Sequence, residues 1–374
     1  MRILFTGGGT GGHIYPILAV FRSLKHRLGN DTEYYFIGPK TAGIETLTQE
    51  GIRVITIVAG KIPRYITPRL FIEFVKIPFG IAWAIIALWR IMPDVVFGKG
   101  GFGIVPVVLA ARLFTIPIVI HESDSVPGLS TKIAARFANT ITTSFQETAA
   151  WFPGSRVTGN PVRTTMRQGS RSRAQARWHI ALGEVLLVLG GSQGAWQLND
   201  TILKTAPGLL SKTEIILQCG TKTHGAVRER FERIMRDIPN LAPLLHIEAF
   251  LDEQELADAY AIASLVVSRA GSSTLFENAL AAKPMLLIPL ASAAANHQEA
   301  NADVFVRSGA AELLSRENLA PHLFSEKIIS LLANKQKRDA MAGIAKTLAR
   351  PDAADAVATI IIEHLAKHDE PNAS

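Results

Sequence analysis

The chain has 374 residues, of which 48% are hydrophobic and 19% are charged, a composition typical of folded proteins and not of disordered ones. This length exceeds what a single hydrophobic core normally serves, so two domains are expected. The formal net charge of +7 favours an anionic partner, and the lack of a zinc finger, an RNA-binding aromatic motif or a long Lys/Arg run makes nucleic acid the least supported one.

The predicted elements alternate between strand and helix along both halves of the chain. Strands are predicted at 2–6, 33–37, 54–58, 94–97, 118–120 and 140–143, and again at 185–189, 214–218, 245–248, 265–268 and 285–288. Their nearly continuous, β-branched hydrophobic runs are typical of parallel strands covered on both faces. Alternation with helices implies right-handed crossovers. We therefore predict an α/β fold of two Rossmann-like, doubly wound domains facing a cleft.

The cellular setting is constrained by three features. A single cysteine, Cys219, excludes an internal disulfide and favours a reducing cytoplasm. Because a strand is predicted from the second residue, we expect no secretory signal peptide. The longest apolar run, 77–89, is shorter than the ~18 residues that span a bilayer. The expectation is a protein that is soluble or peripheral to a membrane.

A glycine-rich turn follows the first strand and opens a helix, with the sequence Gly7-Gly8-Gly9-Thr10-Gly11-Gly12-His13. Glycines allow close backbone approach to a ligand, and a helix start offers unpaired N–H groups with partial positive charge. The turn satisfies G-x-G-x-x-G, but the second strand ends in Gly38-Pro39-Lys40, without the acidic residue of a dinucleotide site. We predict a nucleotide or phosphate binder; a plain tight turn is the alternative.

His13 stands where the helix dipole favours a neutral imidazole that can accept a proton. As a general base it would deprotonate an incoming hydroxyl. A histidine that merely bonds to the neighbouring turn is an equally good interpretation of its position.

The segment 61–90 interleaves basic and aromatic residues on a predicted helix. The side chains that we assign to membrane contact are Phe71, Phe74, Lys76, Phe79, Trp83 and Trp89. This pattern is typical of an interfacial membrane anchor. The alternative is an ordinary amphipathic helix whose apolar side covers the sheet.

Two further clusters of the first half follow predicted strands. Gly98-Lys99-Gly100-Gly101 is a second glycine turn that can bind a diphosphate, or serve only as a flexible connection. His121-Glu122-Ser123-Asp124 comes after the next strand, at the sheet edge where open α/β sheets bind ligands. A metal is not predicted, since no third ligand stands at useful spacing and H-E-x-x-H is absent.

The second half repeats the arrangement of glycine turns after strands. Gly190-Gly191-Ser192-Gln193-Gly194-Ala195 opens a helix and suits diphosphate oxygens. In the segment 268–277, Glu277 can accept bonds from two ribose hydroxyls near Arg269, but its spacing from Thr274 is that of a capping box, and from the residues alone the cap is favoured. No Asp-x-Asp occurs, so helix dipoles and Arg/Lys would have to stabilise a leaving diphosphate.

Taken together, these segments resemble the MurG family of peptidoglycan glycosyltransferases. The resemblance extends in order to about residue 310 and is carried by Thr10-Gly11-Gly12-His13 with Pro16, Gly98 with Gly100-Gly101, His121-Glu122, Gly159-Asn160-Pro161-Val162-Arg163, the turn at 190–195, Arg269 with Glu277, and Gln298 with Asn301-Ala302. Each motif alone is weak, and the ordered set is specific.

The resemblance implies a GT-B fold and an inverting, UDP-N-acetylglucosamine-dependent hexosyltransferase without a cofactor or metal. N-acetylglucosamine would move to the C4 hydroxyl of undecaprenyl-diphosphate-N-acetylmuramyl-pentapeptide during peptidoglycan biosynthesis. The expected domains are an acceptor- and membrane-binding domain (1–163), a UDP-sugar domain (164–350), and a C-terminal helix packing back on the first (351–374). The protein would lie on the cytoplasmic face of the inner membrane, on an anionic surface and in reach of other cell-wall synthesis proteins.

The resemblance also implies site residues. His13 and Glu122 are the candidates for proton removal. Donor binding is assigned to Thr10, Gly11, Gly12, His13, Asp124, Arg163, Ser192, Gln193, Gly194, Phe250, Arg269, Ser273, Thr274, Glu277 and Gln298. The acceptor diphosphate is assigned to Thr10, Gly11, Gly12, Lys99, Gly100 and Gly101.

The chain departs from the family pattern at five positions. The family usually has His-Glu-Gln-Asn, and this chain has His121-Glu122-Ser123-Asp124. Asp124 adds a negative charge at this place. Lys99 stands where a neutral residue is expected and can offset that charge. His297 and Glu299 replace a glutamine and an aromatic residue.

Alternatives from other classes are a related lipid glycosyltransferase acting on diacylglycerol, a UDP-sugar epimerase of the same fold, and a non-catalytic UDP-sugar sensor on the membrane. Turnover without a lipid acceptor would indicate the epimerase. Donor binding without any turnover would indicate the sensor.

Overall fold

The computed structural model describes residues 1–8, 11–41, 43–60, 69–181, 183–289, 295–315 and 318–369; of residues 11, 69–75, 295–296 and 367–369 it describes the backbone alone. The chain divides into two compact units. The first contains Met1–Arg163 together with Arg350–Ser374, and the second contains Thr164–Ala349.

Over its described residues, the first unit is a seven-stranded parallel sheet with the order β3-β2-β1-β4-β5-β6-β7. The strands are β1 (Arg2–Thr6), β2 (Glu33–Gly38), β3 (Arg53–Thr56), β4 (Val95–Gly98), β5 (Ile118–Glu122), β6 (Thr140–Thr143) and β7 (Arg156–Val157). The helices are α1 (Gly11–Leu28), α2 (Ile44–Gln49), α3 (Arg69–Ile91), α4 (Ile104–Leu113), α5 (Leu129–Ala134), α6 (Gln146–Ala149) and α15 (Ala353–Asp369).

Helices cover both faces of this sheet because alternate strand residues point to opposite sides. Ile3 and Phe5 of β1 pack into a core with α1 and α15, whereas Leu4 belongs to a core with α3 and α4. The C-terminal helix is also tied to α1 by polar contacts, among them Arg27 Nη1 donating to Thr359 Oγ1 at 2.8 Å. The last helix of the chain therefore completes the first unit.

Over its described residues, the second unit is a six-stranded parallel sheet with the order β10-β9-β8-β11-β12-β13. The strands are β8 (Val185–Leu189), β9 (Glu214–Gln218), β10 (Leu245–Glu248), β11 (Leu265–Ser268), β12 (Met285–Leu287) and β13 (Ala311–Leu313). The helices are α7 (Arg171–Trp178), α8 (Trp196–Leu209), α9 (His224–Met235), α10 (Glu253–Ile262), α11 (Ser272–Leu280), α12 (Ala295–Ser308), α13 (Pro321–Ala333) and α14 (Lys335–Leu348), with 3-10 turns at Thr164–Arg167 and Pro239–Leu244.

The predicted fold class is confirmed: all strand pairs are parallel, and each predicted strand exists. Two edge strands, β7 and β13, were not predicted, because they have only two and three residues. The strand predicted at 118–120 extends to Glu122, so His121 and Glu122 lie in the sheet itself and not in the loop that follows it.

Each sheet reverses its strand order at one place, between β1 and β4 in the first unit and between β8 and β11 in the second. In open α/β sheets, ligands bind at the carboxyl ends of strands beside such a switch point. The glycine turns at 7–13 and 98–101 follow β1 and β4, and the turns at 190–195 and 269–271 follow β8 and β11. The fold thus brings the four sequence-predicted turns together in two pairs, one pair in each unit.

Candidate active site

The two turns of the first unit approach each other at backbone distance. A Cβ added to Gly101, which has φ +80°, would lie 2.0 Å from the carbonyl oxygen of Gly8. No side chain fits there, so Gly101 is required for the two loops to meet. Thr10, predicted to bind both the donor and the acceptor diphosphate, lies outside the described residues. Gly11 and Gly12 form the start of α1.

His13 is the third residue of α1 and is half-buried at the meeting point of the two turns. A Cβ built on Gly7 would lie 3.8 Å from the Cβ of His13 and 3.7 Å from the Cβ of Lys99. A Cβ built on Gly100 would lie 3.9 Å from Nε2 of His13. His13, Lys99 and the glycines predicted for the acceptor diphosphate therefore form one cluster.

Lys99 is fully buried, and its Nζ has no hydrogen-bond partner in the described part of the chain. Burial lowers the pKa of the Lys99 ammonium to about 8, although the negative charges of Glu122 and Asp124 oppose that change. Leaving a buried polar group without a partner costs free energy, on the order of 1–3 kcal/mol and more for a charge. A ligand at this position would remove that cost.

The His-Glu pair of β5 has structural partners. Nδ1 of His121 lies 2.9 Å from Thr142 Oγ1 and its Nε2 lies 3.0 Å from Ser144 Oγ. Burial, reinforced by the charge of Lys99, holds the pKa of the His121 imidazole well below its usual range, so it is neutral at pH 7. His121 is thus a buried, hydrogen-bonded residue of the sheet.

Glu122 organises the loop that follows β5. Its Oε1 accepts from the backbone N–H of Asp124 at 3.0 Å, and its Oε2 accepts from that of Gly128 at 3.2 Å. The hydroxyl of Thr131 also bonds to it, while burial and the charge of Asp124 raise the pKa of the Glu122 carboxyl. These bonds favour a positioning function for Glu122 and make His13 the better candidate for the base.

Arg163 closes the first unit and is buried. Its guanidinium carbon lies 4.3 Å from the ring centroid of Tyr15, a cation–π contact that fixes it against α1. Asp124 is half-buried and accepts a 2.7 Å bond from Thr148 Oγ1 at its backbone carbonyl. Both residues belong to the first unit, although the resemblance assigns them to the donor.

The first turn of the second unit is also held by glycine contacts. A Cβ added to Gly220 would lie 2.0 Å from the backbone nitrogen of Gly194. The carbonyl of Ser192 accepts from Thr221 N at 3.2 Å, and Gln193 Oε1 accepts from Lys222 Nζ at 3.2 Å. Ser192 and Gln193 lie in the turn itself, since α8 begins only at Trp196.

The second turn of this unit corrects one sequence interpretation. The residue that precedes α11 is Gly271, and no side chain caps this helix. Thr274 is therefore the third residue of α11 and not its N-cap, so the capping box favoured for Glu277 is wrong. Glu277 is buried one turn into the helix, and Ser273 and Thr274 are half-buried in its first turn.

Polar atoms without a protein partner gather near this turn. They are the buried side-chain atoms Ser268 Oγ, Arg269 Nε and Gln298 Oε1, judged over the described residues. Burial lowers the pKa of Arg269. Because buried donors and acceptors are normally paired, these atoms mark a position suited to a polar ligand.

The remaining predicted donor residues flank the same edge of the sheet. Phe250 follows β10 and is partly exposed, and Leu251 N donates to Gln218 Oε1 at 3.2 Å. Asn301 Nδ2 donates to the carbonyl of Ala270 at 3.3 Å, which ties α12, the helix of Gln298, to the turn after β11.

The helices that open at the switch points carry no acidic residue in their first turns. This holds for α1, α8 and α11, and neither α8 nor α11 has a side-chain cap. By contrast, α10 has a complete capping box formed by Asp252 and Glu255. Uncapped N–H groups and a positive dipole end favour an anion at these positions.

The membrane assignment concerns α3. Phe79 is 67% exposed, Trp83 60% and Trp89 66%, whereas Ala84 and Leu88 on the opposite side are buried against the sheet. The helix thus covers the sheet with one face and presents large apolar side chains on another, and the amphipathic alternative does not describe these three aromatics. Lys76 is half-buried, and the side chains of Phe71 and Phe74 lie outside the described residues.

Two residues near the candidate site were missed by sequence reasoning. Thr131 bonds Glu122 and lies beside Gly100, but its position in a short helix gives no sequence signal. Ser268 ends β11 directly before Arg269, and a hydroxyl at the carboxyl end of a predicted strand was a usable signal.

The described residues contain neither a cluster of metal ligands nor a membrane-spanning helix. Nowhere in the described ranges do three or more His, Cys, Asp or Glu side chains gather as metal ligands would. Among the described helices, none combines the length and the hydrophobicity needed to cross a bilayer.

Comparison with known proteins identifies the family of the chain. Residues 3–143 match the Glycosyltransferase family 28 N-terminal domain, and residues 185–357 match the Glycosyltransferase family 28 C-terminal domain. The chain is 36% identical over 338 residues to the UDP-N-acetylglucosamine--N-acetylmuramyl-(pentapeptide) pyrophosphoryl-undecaprenol N-acetylglucosamine transferase of Treponema denticola, with 86% of each chain covered. It is 35% identical over 370 residues to the protein of the same name from Desulfotalea psychrophila, with 96% of this chain and 95% of the relative covered.

Solved structures agree. Acinetobacter baumannii MurG superposes with a TM-score of 0.71 at 26% identity, covering 97% of this chain and 99% of that one. A UDP-GlcNAc 2-epimerase from Neisseria meningitidis shares the fold, with a TM-score of 0.67 at 14% identity over 98% of this chain and 100% of the other. Two doubly wound domains with both family matches define a glycosyltransferase of the GT-B fold. The chain belongs to the MurG family of these hexosyltransferases, as the resemblance predicted.

Proposed function

We propose that this chain transfers N-acetylglucosamine from its UDP donor to the C4 hydroxyl of undecaprenyl-diphosphate-N-acetylmuramyl-pentapeptide, with inversion at the anomeric carbon. The observation that carries the proposal is a relationship to transferases named for these substrates that extends over both domains. The reaction forms one β-1,4 bond, breaks the bond between the sugar and UDP, and transfers the hydroxyl proton to the enzyme.

The donor is assigned to the second unit. Glu277 would accept bonds from the ribose hydroxyls, Phe250 would flank the uracil, and Gln298 would bind the sugar. Within the described residues, Gln298 Oε1 has no hydrogen-bond partner, which supports that assignment, and Arg269 Nε has none either, which supports a diphosphate nearby. Ser192 and the turn at 190–195 would complete the diphosphate site of this unit.

Leaving-group stabilisation would come from backbone and cationic groups. The uncapped starts of α8 and α11 and the Arg269 guanidinium offer positive potential where the UDP charge develops. This replaces the cation that Asp-x-Asp transferases hold.

The acceptor is assigned to the first unit. Its diphosphate would lie on the start of α1, the loop at Gly100-Gly101 and the Lys99 ammonium. His13 is proposed as the base that removes the C4 hydroxyl proton, because Glu122 already accepts two backbone N–H groups.

The exposed aromatics of α3 are proposed to hold the enzyme on the membrane surface that contains its lipid acceptor. Aromatic side chains prefer the membrane–water interface, and neighbouring cations attract anionic lipid. The proposed location is the cytoplasmic face of the inner membrane, with contacts to other cell-wall synthesis proteins as a further expectation.

The test is an assay of purified protein with UDP-N-acetylglucosamine and a short-chain lipid acceptor, which measures both UDP release and the new glycolipid. We expect UDP and glycolipid in equal amounts, and no turnover above the His13→Ala background when the acceptor is omitted. UDP release or sugar isomerisation without acceptor would favour the epimerase alternative. Transfer to diacylglycerol in place of the muramyl lipid would favour the other lipid glycosyltransferase.

A further inference from the structure

A loop of the second unit, residues 219–223 after β9, lies directly against the turn at 190–195. Gly194 has φ +90°, and a Cβ added to it would lie 2.6 Å from the carbonyl oxygen of Cys219 and 2.2 Å from Oγ1 of Thr223. No side chain fits in this space, so the turn and the loop are in close contact through the backbone of Gly194. The position of the turn therefore depends on what holds the loop after β9.

Asn199, the fourth residue of α8, holds that loop. Its side chain is fully buried, and Nδ2 donates to the carbonyl of Cys219 at 2.8 Å and to Thr223 Oγ1 at 3.2 Å. The hydroxyl of Thr223 donates in turn to the carbonyl of Cys219 at 2.5 Å. One side chain thus joins α8, the helix that follows the turn, to two residues of the neighbouring loop.

The other end of the same amide faces the turn. Because a carbonyl oxygen can only accept hydrogen bonds, the contact with Cys219 requires the NH2 group of Asn199 on that side, and this fixes the place of Oδ1. A Cβ built on Gly190 would lie 3.1 Å from Oδ1. The Asn199 amide therefore contacts the loop after β9 with one end and faces the first residue of the turn with the other.

Stability alone does not explain an asparagine at this position. Oδ1 is buried and has no hydrogen-bond partner among the described residues, an arrangement that costs free energy. The carbonyl of Cys219 would stay paired without Asn199, because Thr223 also donates to it. An apolar side chain of the same size would avoid the unpaired oxygen. A polar group that is present at a cost to stability is typical of a functional site.

We propose that Asn199 is a positioning residue of the donor site, which acts through the turn at 190–195 and not by contact with the donor. The inference rests on the proposed function, which assigns the donor diphosphate to this turn. Backbone N–H groups stabilise an anion best when they are already held in the orientation that it requires. By tying the start of α8 to the loop after β9, Asn199 maintains that orientation before the donor binds.

The inference predicts which part of the donor depends on Asn199. The turn would contact the diphosphate, whereas the uracil is assigned to Phe250 and the ribose to Glu277, on other elements of the unit. Loss of the Asn199 side chain should therefore weaken binding of the diphosphate and leave binding of the nucleoside unchanged.

The experiment compares UDP, titrated by calorimetry, with uridine, which lacks the diphosphate and is titrated by ligand-observed NMR. The variants of the full chain are Asn199→Ala and Asn199→Thr. A threonine nearly fills the space of the asparagine, and its hydroxyl can donate to its own helix as those of Thr201 and Thr205 do. Thr205→Val is the matched control, because Thr205 is a buried residue of α8 whose hydroxyl donates to the carbonyl of Thr201 at 2.9 Å.

We expect both Asn199 variants to weaken UDP binding roughly 10- to 100-fold, the range for hydrogen bonds to a charged group, and to bind uridine within about 2-fold of the wild type. In steady-state kinetics the donor KM should rise and kcat should fall, while the acceptor KM stays unchanged. Thr205→Val should behave as the wild type in each measurement. Asn199→Thr provides the same test if Asn199→Ala does not fold.

An equal loss of affinity for UDP and for uridine, or an unchanged affinity for UDP, would overturn the inference. A lower kcat with an unchanged donor KM would also overturn it, because a smaller folded fraction gives that result. If the wild type binds UDP but transfers no sugar, the proposed function fails, and the two titrations still decide whether Asn199 positions the turn. If the wild type binds no UDP, both are refuted.

Discussion

The exposed aromatics of α3 give a quantitative prediction for membrane binding. The change is Trp83→Glu. Trp83 is 60% exposed, and since a tryptophan buries up to ~250 Å², roughly 100–150 Å² remain for contact with lipid. At ~25 cal/mol per Å² this surface contributes about 3 kcal/mol to membrane partitioning. Its loss lowers the partition coefficient about 100-fold, and the new carboxylate is repelled by anionic lipid as well.

The assay is sedimentation with phosphatidylglycerol-containing vesicles over a range of lipid concentrations. Trp196→Glu is the matched control, because Trp196 is 45% exposed but belongs to the second unit. The control should bind vesicles as the wild type does, and both variants should unfold within ~1 kcal/mol of it, as surface substitutions do. Unchanged sedimentation of Trp83→Glu, or equal losses in both variants, would refute the assignment of α3 to the membrane.

Three other substitutions test the site. Glu122→Gln replaces one of the two carboxyl oxygens that accept backbone N–H groups with an NH2 donor and should lower the free energy of unfolding in urea by ~1–3 kcal/mol; a 100-fold fall in kcat without that loss would instead make Glu122 the base. Glu277→Ala should raise the donor KM roughly 10- to 100-fold and leave the acceptor KM unchanged, whereas a loss of stability alone would mean that it only supports α11. Gly101→Ala places a Cβ 2.0 Å from Gly8 O. It should lower the free energy of unfolding by ~1–3 kcal/mol, measured by thermal unfolding, and raise the acceptor KM. A variant with unchanged stability and acceptor KM would contradict the close approach of the two turns.

The fold was predictable because hydrophobic runs and glycine turns are local signals. The strand Val185–Leu189 is a continuous, buried hydrophobic run, and the turn after it contains Gly191 and Gly194 with φ of +85° and +90°, a backbone conformation that favours glycine. The edge strands were not predictable. Arg156–Val157, for example, is exposed and too short to show the two-residue alternation of a strand. Their pairing depends on the neighbouring strand and not on their own sequence.

The site was predictable in its backbone and less so in its side chains. The turns at Gly7 and Gly190 follow from sequence, but the state of an ionisable group depends on what surrounds it. The spacing of Thr274 and Glu277 imitates a capping box, and only the start of α11 at Ser272 excludes it. The burial of Lys99, whose Nζ has no partner in the described part of the chain, depends on the elements packed around it and is not visible in its own sequence segment.

The central claim is sugar transfer between two substrates with His13 as the base. The most direct measurement is the rate of glycolipid formation from UDP-N-acetylglucosamine and a short-chain lipid acceptor, by wild-type protein and by His13→Ala. The account predicts a wild-type rate that depends on both substrates and falls roughly 100- to 10,000-fold in the variant, with KM values little changed. A wild type without product, or a His13→Ala variant with the full rate, would contradict it.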